Sequence, residues 1–224
     1  MCGIVGIYLK TKKFEKNLGK MLSGMLNNME SRGPDSAGFA IYKNEGNKIY
    51  KFSLCINNLN FNIFKKELSK KIKKIKLNQI SDHVILKTEE KPKKVLEILN
   101  LNFPEVSIVG YGKSIEIFKQ VGNPKDVVKK FKLGDFSGTH GIGHTRMATE
   151  SAITTDGSHP YSTGEDECLV HNGSLSNHNN LRRELSKKGN VFNSENDTEV
   201  AAGYISHSLS NKKSLKDTLT SGLK

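Results

Sequence analysis

Tryptophan is absent from this 224-residue chain, and cysteine, proline and arginine are scarce. Each shortage excludes something. Three cysteines, Cys2, Cys55 and Cys168, are too few and too scattered for a disulfide framework, and without a C-x-x-C pair they offer no iron–sulfur cluster. A reducing cytoplasm is the simplest compartment. Only four of the 35 basic residues are arginine: Arg32, Arg146, Arg182 and Arg183. Sites that read bases or clamp phosphates favour the planar arginine fork, so a net charge of +12 does not read as nucleic-acid binding. Lysine is instead spread through the middle of the chain, as in Lys65-Lys66 and Lys70-Lys71-Ile72-Lys73-Lys74. Those runs read as solvated helix faces, with a basic surface for an acidic partner subunit as the alternative. No run of 18 apolar residues occurs, so no segment reads as a membrane-spanning helix. The first residues lack the basic and apolar regions of a secretory signal. No Gly-x-Gly-x-x-Gly follows a strand-like run, and no cofactor is expected.

What is present begins at the second residue. In Met1-Cys2-Gly3-Ile4-Val5-Gly6-Ile7, removal of the methionine would leave the Cys2 thiol beside a free α-amine. Such an amine has a reference pKa of ~7.7–8.0 and a free thiol one of ~8.5, so the amine can serve as base for its own side chain at neutral pH. The apolar run Ile4–Tyr8, broken only by Gly6, predicts a strand that fixes this terminus.

Three zones follow. Residues 1–56 hold strand-like runs at Ile4–Tyr8, Phe39–Tyr42 and Ile49–Leu54 around a helix near Leu18–Met29, where Leu18, Met21, Leu22, Met25 and Leu26 share one face. Residues 57–135 are lysine-rich and read as an α+β insertion. Helices are expected near Phe61–Ile75 and Lys93–Leu101, strands at His83–Leu86 and Val106–Val109, and helical patterns at Ser114–Gln120 and Asp126–Lys132. Residues 136–224 return to short strands and polar turns, then helices near Asn179–Lys188 and Asp197–Leu209. The tail carries Leu215, Leu219 and Leu223 four apart, enough for one thin amphipathic helix.

Four further motifs carry chemistry. Ser31-Arg32-Gly33-Pro34-Asp35-Ser36-Ala37-Gly38 turns at Gly33-Pro34 and opens a strand. Gly141-Ile142-Gly143-His144-Thr145-Arg146 alternates, so His144 and Arg146 share one strand face, and a lone arginine at the strand's end suits a carboxylate. Leu169-Val170-His171-Asn172-Gly173 ends in a turn that is either a plain Asn-Gly turn or an amide and a bare backbone N–H presented together as an oxyanion hole. In Asn196-Asp197-Thr198-Glu199-Val200, Asn196 or Asp197 can cap the helix that follows.

Taken in order, Met-Cys-Gly-Ile-Val-Gly, Arg-Gly-Pro-Asp-Ser-Ala-Gly, Gly-His-Thr-Arg, His-Asn-Gly and Asp-Thr-Glu-Val resemble the class-II glutamine amidotransferases, over about residues 1–56 and 136–210. The resemblance implies one type-2 amidotransferase domain over residues 1–224, with an insertion at about 57–135. Its fold would be the α+β, four-layer αββα sandwich of N-terminal-nucleophile hydrolases, two antiparallel sheets between helices. The family's domains continue past Asp197–Leu209, which leaves the completeness of the C-terminal part open. The resemblance also implies roles. Cys2 would be the nucleophile, and Asn172 and Gly173 the oxyanion hole. Arg146 would take the substrate α-carboxylate, Asp197 its α-ammonium, and Thr149 would add a hydroxyl. Arg32 would brace the nucleophile's loop at the substrate site.

Ser114–Lys132, Ser137–Glu150 and Thr154-Thr155-Asp156-Gly157-Ser158-His159-Pro160 look most like one branch, the amidotransferase subunit of glutamate-synthase-like and N-methylglutamate-synthase-like enzymes. That branch implies a flavin/iron–sulfur synthase subunit as partner, receiving ammonia. Relatives that aminate sugar phosphates carry an aromatic residue where this chain has Met147 and a histidine where it has Glu150, which weighs against a sugar-phosphate acceptor. A catalytically incomplete assembly or regulatory subunit with the same fold is the rival. Two weaker signals are set aside. Ser107–Ser114 ends like a phosphate-binding loop but has Ser107 where its first glycine belongs. His140 and His144 lie four apart with no further ligand nearby, so no metal is expected.

Overall fold

The computed structural model describes residues 2–44, 46, 48–148 and 152–222. Its elements in order are β1 (Gly3–Tyr8), α1 (Leu18–Asn27), β2 (Ser36–Tyr42), β3 (Tyr50–Cys55), α2 (Phe61–Lys71), β4 (Lys76–Ile80), β5 (His83–Thr88) and α3 (Pro92–Asn102). Then come β6 (Ser107–Gly112), β7 (Ile115–Val121), α4 (Pro124–Lys130), β8 (His140–Arg146), α5 (His178–Lys187), α6 (Asp197–Ser210) and α7 (Leu215–Gly222).

Two antiparallel four-stranded sheets run β1-β8-β2-β7 and β4-β5-β3-β6. Three apolar clusters define the layers. Leu18, Leu22 and Leu26 of α1 and Val127 of α4 bury against Val5, Phe39, Ile41 and Phe118 on one face of the first sheet. Phe64 and Leu68 of α2 and Val95 and Leu99 of α3 bury against Phe52, Leu54, Val84 and Leu86 of the second. Between the sheets lie Ala40, Cys55, Val109, Ile115 and Ile117. The result is the expected αββα sandwich. Each fully buried leucine of α1 contributes about 1.5–3 kcal/mol, which outweighs the weak intrinsic stability of a ten-residue helix.

The lysine-rich segment 57–135 is woven into both sheets. It supplies β4, β5 and β6 to one and the edge strand β7 to the other. Here one expectation is corrected: Ser114–Gln120 is strand, not helix. Ile115 and Ile117 point between the sheets while Phe118 faces the helical layer. A strand covered on both faces has no polar side, so its short apolar run carries no clean period.

The β6–β7 connection also disposes of the phosphate-loop pattern. It is a short strand-to-strand turn that carries the chain from one sheet to the other, not a strand-to-helix turn, and its N–H groups are already satisfied. Lys113 N, Ser114 N and Ile115 N all donate to the Asp166 carboxylate at 2.8–3.0 Å, as does Ser114 Oγ. Burial pushes that carboxyl up, but these donors outweigh it and hold it below its usual range. No helix among the described residues is long and apolar enough to cross a membrane.

Candidate active site

Strand pairing brings the amino terminus to the middle of the chain. β1 lies antiparallel to β8 with Gly3 opposite Thr145, so Cys2 emerges beside Arg146 and Met147. The Cys2 thiol points at the Met147 carbonyl, 3.8 Å away. Two side chains hold the Cys2 carbonyl: Asn172 Nδ2 donates at 3.1 Å and Arg32 Nε at 3.3 Å. Arg32 reaches it because the turn at Gly33 presses on the end of β8, where a Cβ would sit 2.4 Å from the Thr145 carbonyl carbon. Only glycine fits there.

Cys2 opens into a cleft of about 530 Å³, which Arg146, Met147, Asn172, Gly173 and Asp197 also line. Five of the seven residues expected at the site thus share one cavity. Arg32 stands outside its lining, on the main chain of Cys2. Thr149, the seventh, lies outside the described residues, as does Glu150.

The charged members are fixed by neighbours. Arg146 is buried at the end of β8, and its Nη1 donates to the Ala152 carbonyl at 3.2 Å. Asp197 opens α6, where Asn196 is the cap, its Oδ1 accepting from Thr198 N at 2.9 Å. That frees the Asp197 carboxylate for the cleft, where Oδ2 accepts from Leu175 N at 2.7 Å and so ties down the loop after Gly173. An acidic group in a helix's first turn is itself favoured by the helix dipole. Asn172 and Gly173 are exposed on the cleft wall.

A layer behind the cleft had no distinct signal in the sequence. Asp35 accepts from Ala148 N at 2.7 Å, and its own N–H donates to the Arg146 carbonyl at 3.0 Å. It therefore sets the turn that follows β8. The His144 ring, fully buried, lies within hydrogen-bond distance of the His171 carbonyl at 3.0 Å, one residue before Asn172. It also stacks on His159 with ring centroids 3.9 Å apart. His159 Nε2 in turn meets Thr198 Oγ1 at 2.9 Å, and that hydroxyl also approaches Asp197 Oδ1 at 3.3 Å. Burial pushes His144 down to about 4, only partly offset by the His171 carbonyl, and burial with the nearby His144 pushes His159 well down too. Both rings are neutral at physiological pH. Each keeps a buried Nδ1 without a hydrogen-bond partner among the described residues.

Chemically, the described lining of the cleft offers the Cys2 thiol, an amide and a backbone N–H side by side, the Arg146 cation, the Asp197 carboxylate held by Leu175 N, and the exposed carboxylate of Glu195. A profile of the glutamine amidotransferase domain matches residues 134–208. The glutamine amidotransferase-like protein GlxB of Rhizobium meliloti (strain 1021) is 47% identical over the whole of this chain, which spans 75% of that relative. A putative glutamine amidotransferase of Methanothermobacter thermautotrophicus is 29% identical, again over the whole chain and 78% of the relative. In fold, the chain is similar to glutamine phosphoribosylpyrophosphate amidotransferase of B. subtilis. The TM-score is 0.55 at 18% identity, over 98% of this chain and 32% of that one. At 47% identity to GlxB over its whole length, the chain belongs to the class-II glutamine amidotransferases, N-terminal-nucleophile enzymes that act on the side-chain amide of glutamine.

Proposed function

We propose that the chain is a glutaminase subunit that works through Cys2 and passes ammonia to a synthase partner of the glutamate-synthase-like kind. The observation that carries the reading is the convergence of Cys2, Asn172, Gly173, Arg146 and Asp197 on one cleft. Free glutamine is a zwitterion, and a buried guanidinium and a carboxylate in one cleft suit the two charged groups on its α-carbon. The guanidinium fork pairs with the α-carboxylate, and Asp197 with the α-ammonium.

With Met1 removed, the α-amine of Cys2 takes the thiol proton, and the thiolate attacks the side-chain carbonyl carbon of glutamine. The carbonyl π pair moves to oxygen. Asn172 and Gly173 are suited to hold that oxyanion, since Asn172 Nδ2 carries two N–H bonds and uses one on the Cys2 carbonyl. Collapse re-forms the carbonyl and breaks the C–N bond, and the α-ammonium returns its proton to the departing nitrogen. Ammonia leaves, and a glutamyl thioester remains on Cys2. Water, deprotonated by the α-amine, attacks that thioester and releases glutamate, restoring the thiol.

The single type-2 domain over residues 1–224, with 57–135 as an elaboration, belongs to the same proposal. So does the flavin/iron–sulfur synthase subunit as acceptor of the ammonia. Cys2→Ala tests the chemistry: glutamate release should vanish while the melting curve stays near that of the parent, because the half-exposed thiol contributes little packing. Activity near the parental level in Cys2→Ala removes Cys2 from the mechanism.

A further inference from the structure

Lys119 is a buried cation behind the cleft that the chemistry above does not use. It lies on β7 opposite Gly38 of β2 and is 5% exposed. Its ammonium donates to two main-chain carbonyls, Ser158 O at 2.9 Å and Asp156 O at 3.1 Å, and stands 4.5 Å from the Tyr161 ring centroid. Among the described residues no carboxylate comes within salt-bridge distance of it. A buried ammonium held by carbonyls alone is expensive, and an apolar side chain of that length would fill the space more cheaply.

The two carbonyls belong to the loop that backs both charged residues of the proposed glutamine site. At its start, the Ala152 carbonyl accepts from Arg146 Nη1. At its end, His159 reaches Thr198, whose hydroxyl lies against Asp197. The middle is tight: Thr154 accepts from Gly157 N and Ser158 Oγ, and Ser158 N donates to Thr155 O. The loop also sits hard on β2, where a Cβ at Gly38 would come within 2.1 Å of the His159 carbonyl oxygen. Lys119 fastens the middle of this loop to β7, as Arg146 fastens its start to β8, and Ser107 of β6 adds a bond to the Asp156 carboxylate at 3.3 Å.

We propose that Lys119 is a positioning residue for substrate binding: by gripping the Asp156 and Ser158 carbonyls it keeps Arg146 and Asp197 placed for the two charged groups on the α-carbon of glutamine. The inference rests on the glutamine reading of the cleft. It predicts an effect on KM, not on kcat, because the nucleophile and the oxyanion donors lie on other segments. It also predicts a pH signature. Burial pushes the Lys119 ammonium down to about 8, against the opposing pull of Asp156 and Glu199. The charged and titratable groups facing it are Asp156, Glu199, Cys55, Tyr161, His159 and His83. Cys55 and Tyr161 are pushed up by burial, and His83 and His159 are pushed down, so the histidines are already neutral in the alkaline range. Lys119 is then the group in this cluster that loses its charge as pH passes through 8, and its grip weakens with it.

The test compares the full chain with Lys119→Met and Lys119→Arg. Steady-state KM and kcat for glutamine are measured from pH 6.5 to 8.5, below the range in which the α-ammonium of glutamine itself loses its proton, and amide hydrogen exchange is followed across residues 152–161. The parent should show KM rising as pH passes through 8. Lys119→Met should show KM about 3- to 30-fold higher at neutral pH, the range of a residue acting through others, with kcat kept and the alkaline rise in KM gone. Lys119→Arg should recover the neutral KM and carry no alkaline rise, because a guanidinium stays charged. An unchanged KM in Lys119→Met, or an alkaline rise that persists in it, overturns the proposal while leaving the glutaminase reading intact. A parent that neither hydrolyses nor binds glutamine sinks that reading instead. The exchange data then decide for Lys119: faster exchange confined to 152–161 in Lys119→Met supports the grip, and unchanged or uniformly faster exchange refutes it.

Discussion

Asn172→Ala separates catalysis from packing at the centre of the site. The side chain is exposed, and its one hydrogen bond among the described residues runs from Nδ2 to the Cys2 carbonyl at 3.1 Å. A neutral hydrogen bond of this kind contributes about 0.5–1.5 kcal/mol to stability, which for a chain of this size corresponds to a fall in Tm of roughly 1–6 °C. The Cys2 carbonyl also keeps its bond from Arg32 Nε, which moves the expected loss toward the lower end. Loss of an oxyanion donor is far larger: kcat should fall by ~10²–10³, or ~2.7–4 kcal/mol, because the charge it meets develops only in the transition state. The assay is glutamate release under saturating glutamine, normalised to folded protein, beside a melting curve. A kcat per folded molecule within a few-fold of the parent, with a Tm loss at or above the upper end, would refute the oxyanion role and leave Asn172-Gly173 a structural turn.

Arg146→Lys and Asp197→Asn should each raise KM for glutamine by at least tenfold, since each removes a charged or bidentate contact worth about 1.5–3 kcal/mol; equal KM values in calorimetric and kinetic titrations would count against the zwitterion clamp. Acid stability should report the buried histidines. A histidine with a folded pKa below its unfolded one stabilises the fold above the unfolded value and loses that stability as pH falls toward the folded value. His144, at about 4 in the fold, should therefore cost roughly 3 kcal/mol between pH 6.5 and 4, with His159 acting in the same direction. Urea denaturation at stepped pH checks this, and a flat stability profile from pH 7 to 5 would contradict the burial of both rings.

Much of the site was legible because its residues sit in short contiguous motifs. His144-Thr145-Arg146 alternates on a strand with its cation at the end, and Asp197 follows a capping asparagine into a helix. The layer behind was not legible, for a physical reason. Lys119, Asp35 and His144 act on backbone groups 27 to 113 residues away, and a carbonyl or an N–H leaves no mark in the amino-acid code. The fold divides the same way. Helix α1 was readable because one face is buried and the other is wet, giving a clear 3.6-residue period. Strand β7 was misread because both faces are covered. Strand β4 was missed because Lys76-Leu77-Asn78-Gln79-Ile80 is a mostly polar edge whose place is set by pairing with β5.

The pairing of β1 has a consequence in time. Among the described residues its one partner strand is β8, so the segment after Cys2 has nothing to pair with until residues 140–146 exist. At ~5–20 residues per second, roughly 7–30 s of synthesis separate the first strand from the second. Through that interval the amino terminus hangs free of the sheet, the state in which an aminopeptidase meets it without having to unfold anything. The long reach of this one strand pair, slow as a folding step, would leave the start of the chain accessible to the methionine removal that the proposed mechanism requires.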